Sequence, residues 1–305
     1  MSSYLELSAR QRIPHIFDAG SFEEFMPPVE RVISPHLAQL DAPVSFDDGV
    51  VVGRGLLGGR VVFGAAQEGG FMGGAVGEVH GAKLVGMLHR AIEEEAHAVL
   101  LLLESGGVRL HEANAGLIAV SEVMRALLDV RAAGIPVVVA VGGSNGCFGG
   151  MGITARCANT VIMSEEGRLA MSGPEVIETA HGVEEFDSRD RALVWRTTGG
   201  KHRYLLGDCQ VLVPDDTHAF RHAAMDAIAA FRSTGAGEVA LTLAGLEAEQ
   251  AMLEGRLRDF GDQIEPMDVW RALGVPDPAA VPMLEADAFL ALASNYRAGS
   301  GAGGK

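Results

Sequence analysis

The sequence is poor in cysteine and in positive charge, and each shortage excludes a class of protein. Its three cysteines, Cys147, Cys157 and Cys209, have no CxxC spacing, so neither a disulfide framework nor a four-cysteine zinc site is predicted. Lysine and arginine number 24 against 40 acidic residues, which gives a formal net charge of −16. That balance argues against nucleic acid or an anionic membrane surface as a partner.

Long apolar runs are also missing. The longest ones fall well short of the roughly 20 residues that a membrane helix needs. Residues 1–20 contain Arg10 and Arg12 but no apolar stretch, so no secretory signal peptide is predicted and a cytoplasmic location is expected. A hydrophobic content of 48% with 21% charged residues is typical of a globular chain.

The chain is predicted to hold one main domain between two flanking segments. Prolines are frequent over residues 1–45, so this segment is interpreted as an N-terminal arm with one or two short helices outside the core. Residues 46–275 are predicted to form the domain. Residues 276–305 are predicted to be a C-terminal tail, with a Gly- and Ser-rich end over 297–305 that is disordered.

Within the domain, apolar strand patterns alternate with helical ones, and that order predicts an α/β fold with a parallel sheet. The predicted strands cover 49–57, 60–67, 98–103, 136–141, 160–164 and 168–172. The predicted helices cover 78–95, 112–130, 149–157, 174–181 and most of 216–260.

Two glycine turns, each directly after a predicted buried strand, are the most informative feature. The first is Glu104-Ser105-Gly106-Gly107-Val108-Arg109, and the second runs from Gly142 to Gly152. Two strand–turn–helix units in one sheet can point two backbone N–H groups at one position. A reaction that passes through a thioester enolate needs that arrangement.

Two other motifs have competing interpretations. Gly53-Arg54-Gly55-Leu56-Leu57-Gly58 matches GxGxxG, but a strand follows it where a dinucleotide site needs a helix, so a hairpin turn is favoured. Gly142-x-Ser144-x-Gly146 matches GxSxG, which makes Ser144 a candidate nucleophile of a serine hydrolase. Further turn residues separate Ser144 from any helix, so the alternative is that Ser144 shapes the turn.

A third glycine cluster and a basic stretch each have two interpretations, one functional and one structural. The cluster over 69–81 either cradles a phosphate or packs tightly, and the spacing of Glu78 and His80 does not predict a metal site. The basic stretch is either a solvated face or a landing site for an anionic group. It contains Arg189, Arg191, Arg196, Lys201 and Arg203.

Four linked segments resemble the carboxyltransferase subunits of biotin-dependent acyl-CoA carboxylases. They are residues 71–83, 104–112, 146–150 and 171–176, and their order and spacing match from about residue 45 to 215. The resemblance implies a crotonase-like α/β superhelix of ββα units, here the N-type half of a carboxyltransferase. Within this family, residues 10–24 and 195–204 resemble the β subunits of biotin-independent malonate decarboxylases.

The resemblance implies that a homologous γ subunit completes the site and that malonyl-S-acyl carrier protein is decarboxylated to the acetyl form. The acyl group is then carried on a CoA-like arm (phosphoribosyl-dephospho-CoA), with no metal and no cofactor bound directly to this chain. Two alternatives remain: a subunit that transfers the carboxyl group to biotin, and a non-enzymatic subunit that only docks the carrier.

The resemblance also implies roles for individual residues. The N–H groups of Val108 and Gly150, in the turns Gly107-Val108 and Gly149-Gly150, are the expected oxyanion donors. The expected contacts of the thioester arm are Phe71, Gly73, Gly74, Gly106, Arg109, Gly146, Ser172 and Gly173. From the basic stretch, the expected carrier contacts are Arg189, Arg191, Lys201 and Arg203. The enolate's proton donor is left open among His80, His111, Glu112 and a residue of the partner, and Arg109 alternatively pairs with Glu112.

Overall fold

A mixed seven-stranded sheet forms the centre of the computed structural model, which describes residues 2–39, 49–235, 237 and 241–298. The strands are β1 Glu23–Phe25, β2 Val50–Leu57, β3 Arg60–Gln67, β4 Ala98–Leu103, β5 Val137–Val141, β6 Thr160–Ser164 and β7 Val211–Val213. Their order in the sheet is their order in the chain. The first three pair antiparallel, and β3 to β7 pair in parallel, as the alternating pattern predicts.

Helices cover both faces of this sheet. They are α1 Ala9–Ile16, α2 Pro35–Gln39, α3 Glu78–Glu93, α4 Asn114–Ala132, α5 Gly149–Arg156, α6 Pro174–His181, α7 Arg191–Thr198, α8 Gly200–Leu206, α9 Thr217–Thr234, α10 Leu243–Phe260, α11 Pro266–Ala272 and α12 Ala286–Ala293. None of the helices in the described ranges is long and apolar enough to cross a membrane.

The core lies on both sides of β4. Val99 and Leu101 join the cluster that includes residues of α3 and α4, whereas Leu100 and Leu102 join the cluster that includes residues of α1 and α9. Successive residues of a strand point to opposite faces, so a strand buried on both faces must be apolar throughout. This confirms the strand that the unbroken apolar run predicts.

The GxGxxG segment is a hairpin, as expected. β2 and β3 pair antiparallel along their length, and Gly58 and Gly59 connect them with φ values of +59° and +75°. A two-residue turn with positive φ at both positions matches the twist of paired strands, and glycine takes that conformation without strain.

The prediction that residues 1–45 lie outside the core is wrong for the first helix, α1, which packs into the core. Tyr4, Ile16 and Phe17 are at most 2% exposed, and α1 packs on α9. Beyond position 276, Val281 and Phe289 are fully buried as well. The start of the predicted domain, and most of the predicted disordered end (299–305), lie outside the described residues.

The strand predicted over 168–172 is also wrong. Only isolated bridges occur there, from Leu169 to Cys147 and from Arg168 to Gly199. Conversely, β1 and β7 are three residues each and were not predicted.

Candidate active site

The two glycine turns meet at one edge of the sheet. β4 and β5 are parallel neighbours, so the turns that follow them leave from the same edge. The Ser105 N–H donates to the Gly146 carbonyl at 2.8 Å, and the Phe148 N–H donates to the Ser105 carbonyl at 2.7 Å. A Cβ atom placed on Gly149 would lie 3.0 Å from the α-carbon of Gly107. The structure therefore brings Gly107 and Gly149 into contact.

Each turn carries a backbone N–H that has no acceptor within the described part of the chain: Val108 in the first and Gly150 in the second. The neighbours of Val108 both bond to Val76, at 2.9 Å from the Val76 N–H to the Gly107 carbonyl and 3.0 Å from the Arg109 N–H to the Val76 carbonyl. The alternation of a strand then directs the Val108 N–H away from Val76. Gly150 lies in the first turn of α5, where N–H groups have no intrahelical partner and the helix dipole favours negative charge.

The third glycine cluster packs directly on the first turn. The Gly106 N–H donates to the Gly73 carbonyl at 2.8 Å. A Cβ on Gly74 would lie 2.0 Å from the Glu104 carbonyl oxygen. Gly73 and Gly74 also have φ values of +65° and +70°, which favour glycine. Tight packing is thus present, and a contact with the thioester arm stays a prediction.

Arg109 takes its alternative role, the ion pair with Glu112. The guanidinium NH1 lies 3.3 Å from Glu112 Oε1, Nε donates to the Ala75 carbonyl at 2.8 Å, and the group stands 5.1 Å from the centre of the Phe71 ring. The Arg109 side chain is 1% exposed, so it presents no surface to a ligand's phosphate. Its position therefore supports the fold of the first turn, with Phe71 beside it.

The three candidate proton donors of this chain lie in different environments. His80 is fully buried, with Nε2 3.1 Å from Gln67 Nε2. Glu112 is fully buried and accepts the Glu78 N–H at 2.5 Å, at the start of α3. His111 is exposed. The choice among them, or a residue of a partner, stays a prediction.

The second turn is hydrogen-bonded to the segment that begins at Met171. Gly146 has a φ of +69°, and the Gly149 N–H donates to the carbonyl of Met171 at 2.9 Å. Ser172 and Gly173 follow directly, and Gly173 caps the start of α6. This placement brings the segment at 171–173 beside the second turn, as the shared motifs imply.

Ser144 is not arranged as a hydrolase nucleophile in the described structure. Its hydroxyl donates to Glu104 Oε1 at 3.2 Å, and its carbonyl accepts from Arg168. A serine nucleophile needs a general base that takes its proton, most often a histidine. No histidine of the described residues bonds to Ser144. The turn-shaping role is the one that the geometry supports.

The buried pair of Arg12 and Glu104 beneath both turns was not predicted. The two residues are 92 positions apart, and their side chains are 1% and 4% exposed. A single arginine in a proline-rich segment gave no local signal of burial. Prediction of this contact would have required knowledge that α1 returns to the core.

The basic stretch does not form one cationic surface, which corrects the docking prediction for two of its residues. The Lys201 ammonium lies 2.7 Å from Glu165, and Arg203 lies 3.3 Å from Asp208. Both side chains are largely buried, at 11% and 19% exposure. Arg189 and Arg191 are exposed, and their contact with a carrier protein stays a prediction.

No group of three or more His, Cys, Asp or Glu side chains within the described ranges is arranged to hold a metal ion. The N–H groups of Val108 and Gly150 lie on two turns that touch at Gly107 and Gly149. Such donors can bind a developing oxyanion.

Comparison with known proteins gives consistent results. Residues 6–229 match the model of the carboxyl transferase domain family. The malonyl-S-ACP:biotin-protein carboxyltransferase MADC of Malonomonas rubra is 40% identical over 317 residues, which cover 97% of both chains.

Two solved structures are similar. One is a Pseudomonas malonate decarboxylase hetero-tetramer in complex with malonate, with a TM-score of 0.79, 40% identity and coverage of 89% of this chain and 97% of that one. The other is the Pseudomonas malonate decarboxylase MdcD-MdcE hetero-dimer, with a TM-score of 0.64, 37% identity and coverage of 83% and 96%. These findings confirm the expected α/β carboxyltransferase fold of the crotonase-like type.

Proposed function

The chain belongs to the carboxyl transferase family and is a carboxyltransferase related to malonate decarboxylases, and from that premise we propose that it is the β subunit of a malonate decarboxylase. With a homologous γ subunit it would convert malonyl-S-acyl carrier protein into acetyl-S-acyl carrier protein. The observation that carries the proposal is the pair of N–H groups without acceptors, Val108 and Gly150, on two turns that touch.

In the proposed reaction the bond between the carboxylate carbon and the methylene carbon breaks, and CO₂ leaves. The electron pair of that bond stays with the thioester as an enolate, whose negative charge rests on the carbonyl oxygen. The N–H groups of Val108 and Gly150 donate to this oxygen, and each such donor contributes about 10²–10³ in rate. A proton then adds to the methylene carbon and gives the acetyl thioester.

The bare backbone of the turns suits this step. Gly107 and Gly149 present no side chain, so a thioester can approach the N–H groups closely. Their φ values, +137° and +61°, are ones that residues with a side chain rarely adopt. A site made of backbone donors stabilises charge without a nucleophilic side chain, which fits an enolate better than an acyl-enzyme.

The substrate's arm is proposed to be the CoA-like prosthetic group of an acyl carrier protein, phosphoribosyl-dephospho-CoA. The third glycine cluster, with Gly73 beside Gly106, borders the first turn and offers a backbone-lined approach. Arg189 and Arg191, exposed beside α7, are the basic side chains left to attract an acidic carrier.

The partner subunit is proposed to cover an exposed apolar surface beside the turns. Leu110, Leu117 and Ile118 follow the first turn with exposures of 84%, 57% and 61%, and Met171, next to the second turn, is 71% exposed. Apolar patches of this kind often mark protein interfaces. The similar Pseudomonas structures are a hetero-dimer and a hetero-tetramer, which supports a partner for this chain.

A second candidate function shares the same enolate. The Malonomonas rubra relative is named as a carboxyltransferase from malonyl-S-ACP to a biotin protein, so the carboxyl group of the substrate could pass to biotin instead of leaving as CO₂. The turns would serve both reactions in the same way.

One experiment separates the two candidates. The chain is co-purified with its partner subunit and a biotin protein is added as acceptor, and both consumption of malonyl-S-carrier protein and CO₂ release are measured with and without avidin. Release that avidin does not change supports the decarboxylase. Loss of turnover with avidin supports transfer to biotin, and no turnover of malonyl thioester in either case would contradict both.

A further inference from the structure

A buried carboxylate ties the two turns together from below. Glu104 follows the last residue of β4 and opens the first turn, and it is 3% exposed. Its Oε1 accepts the Ser144 hydroxyl at 3.2 Å and the Asn145 N–H at 3.1 Å. One side chain at the start of the first turn therefore fixes the start of the second.

Arg12 supplies the charge that this carboxylate requires. Its guanidinium pairs with Glu104 Oε2, and its Nε donates to the Tyr4 carbonyl at 3.0 Å. An unpaired charge at this depth would strongly destabilise the fold. Since Arg12 lies on α1, this ion pair connects the N-terminal helix to the two turns.

Backbone atoms pack closely around the Glu104 carboxylate. A Cβ on Gly143 would lie 2.1 Å from Glu104 Oε2, and a Cβ on Gly69 would lie 2.4 Å from Oε1. The Glu104 N–H is also held, at 3.1 Å from Gln67 Oε1. The backbone at Gly69 and at Gly143 approaches the Glu104 carboxylate too closely for any residue with a Cβ atom.

We propose that Glu104, neutralised by Arg12, is a positioning residue that sets the separation of the Val108 and Gly150 N–H groups. The inference rests on the proposed function, because it assumes that both groups bind one thioester oxygen. Two donors share an oxygen only when each lies about 3 Å from it. A displacement of about 1 Å costs on the order of 10²-fold in rate.

The test compares two thioesters on the carrier arm, bound to the complex of this chain with its partner. The first is the nitroacetyl thioester, which ionises to an anion whose charge spreads over the nitro and carbonyl oxygens and resembles the enolate. The second is the neutral acetyl thioester. The ratio of the two dissociation constants measures oxyanion binding. Unfolded protein lowers the number of sites without changing that ratio, so a purely structural role would leave it unmoved.

Two variants alter the link by different amounts. Glu104→Asp keeps the charge for Arg12 but shortens the reach to the second turn, and we expect the anion to bind about tenfold more weakly with acetyl binding unchanged. Ser144→Ala removes one of the two hydrogen bonds at Oε1, and we expect about a threefold weakening. Ser144 is exposed, so this variant keeps the test valid if Glu104→Asp does not fold.

The matched control is Glu24→Gln, which removes a carboxylate of β1 that pairs with Arg10 of α1, the helix that also carries Arg12, but is not buried, at 20% exposure. It should leave both affinities unchanged. A wild-type ratio in Glu104→Asp and Ser144→Ala would overturn the positioning role. Equal binding of the two thioesters by the wild-type complex would instead overturn the proposed oxyanion function, and with it this inference.

Discussion

The Val120 side chain occupies the space in which a side chain on Gly150 would begin. A Cβ on Gly150 would lie 2.4 Å from Val120 Cγ1 and 3.3 Å from its Cβ. Glycine at 150 is therefore required by packing, apart from any role of its N–H group. A variant that tests the N–H must first remove this crowding.

Gly150→Pro in a Val120→Ala background removes the N–H while the methyl that would clash is absent. Proline is tolerated in the first turn of a helix, where the missing N–H has no intrahelical partner. We expect a loss of about 10²–10³ in kcat for malonyl-S-carrier protein. Steady-state kinetics on the co-purified complex measure it.

The control for this change is Gly150→Ala in the same Val120→Ala background, which adds a Cβ but keeps the N–H. It should retain most of the activity of Val120→Ala alone. Equal activity of the proline and alanine variants would show that the Gly150 N–H takes no part in turnover.

Gly149→Ala tests the contact between the turns. Its φ of +61° strains any residue with a side chain, and the new Cβ would lie 3.0 Å from Gly107. We expect the turns to separate and kcat to fall by about 10²-fold. Gly59→Ala is the control, since Gly59 has a φ of +75° and no atom within 4 Å. It should lose about 1–2 kcal/mol of stability and no activity, and a similar kcat for both variants would refute the proximity argument.

Ser144→Ala decides between the turn-shaping role and a serine nucleophile. Since the hydroxyl bonds to Glu104 and to no histidine within the described ranges, we expect kcat to stay within about threefold of wild type. A serine-directed phosphonate should not label the wild-type protein. Complete loss of turnover, together with labelling of Ser144, would restore the hydrolase hypothesis.

The sequence predicted the elements whose patterns are long and regular. The β2–β3 hairpin was marked by a glycine pair between two apolar segments, β4 by an unbroken apolar run of 6 residues, and α3 by apolar residues at helical spacing. β1 and β7 have three residues each, too few for a period to show. The segment at 168–172 looks like a strand, but its partners are single bridges from other loops, which only the folded chain brings together.

The sequence predicted the two glycine turns but not the side-chain contacts that hold them in place. Glycine after a buried strand is a local signal, and it marked both turns. The pairing of Arg12 with Glu104 depends on α1 packing into the core, and prolines in that region pointed the other way. Lys201 and Arg203 counted as surface charges because their partners, Glu165 and Asp208, are set by the fold.

Arg191→Glu tests whether the exposed remainder of the basic stretch attracts the carrier protein. Arg191 begins α7, and reversal of its charge should raise KM for malonyl-S-carrier protein and spare a short malonyl thioester. Arg60→Glu is the matched control, because exposed Arg60 begins β3 at the edge of the sheet opposite to the turns. If both variants have the wild-type KM, the stretch is a solvated face.

His202 gives the chain a pH dependence of stability that is independent of the site. Its Nδ1 accepts the Trp270 Nε1–H at 3.0 Å, and burial, with a smaller contribution from the charge of Arg203, lowers the pKa of His202 from 6.5 to about 3. The folded protein therefore keeps a neutral imidazole over a range in which the unfolded chain takes up a proton.

Stability should consequently fall as the pH is lowered from about 6.5 toward 3, with a slope of up to about 1.4 kcal/mol per pH unit from this group. The sign follows from the unfolded state binding the extra proton. His202→Asn keeps an acceptor for Trp270 but cannot titrate, so its stability deficit relative to wild type should shrink as the pH falls. Urea unfolding at several pH values measures the deficit. A difference that stays constant with pH would show that His202 does not titrate differently in the folded and unfolded states.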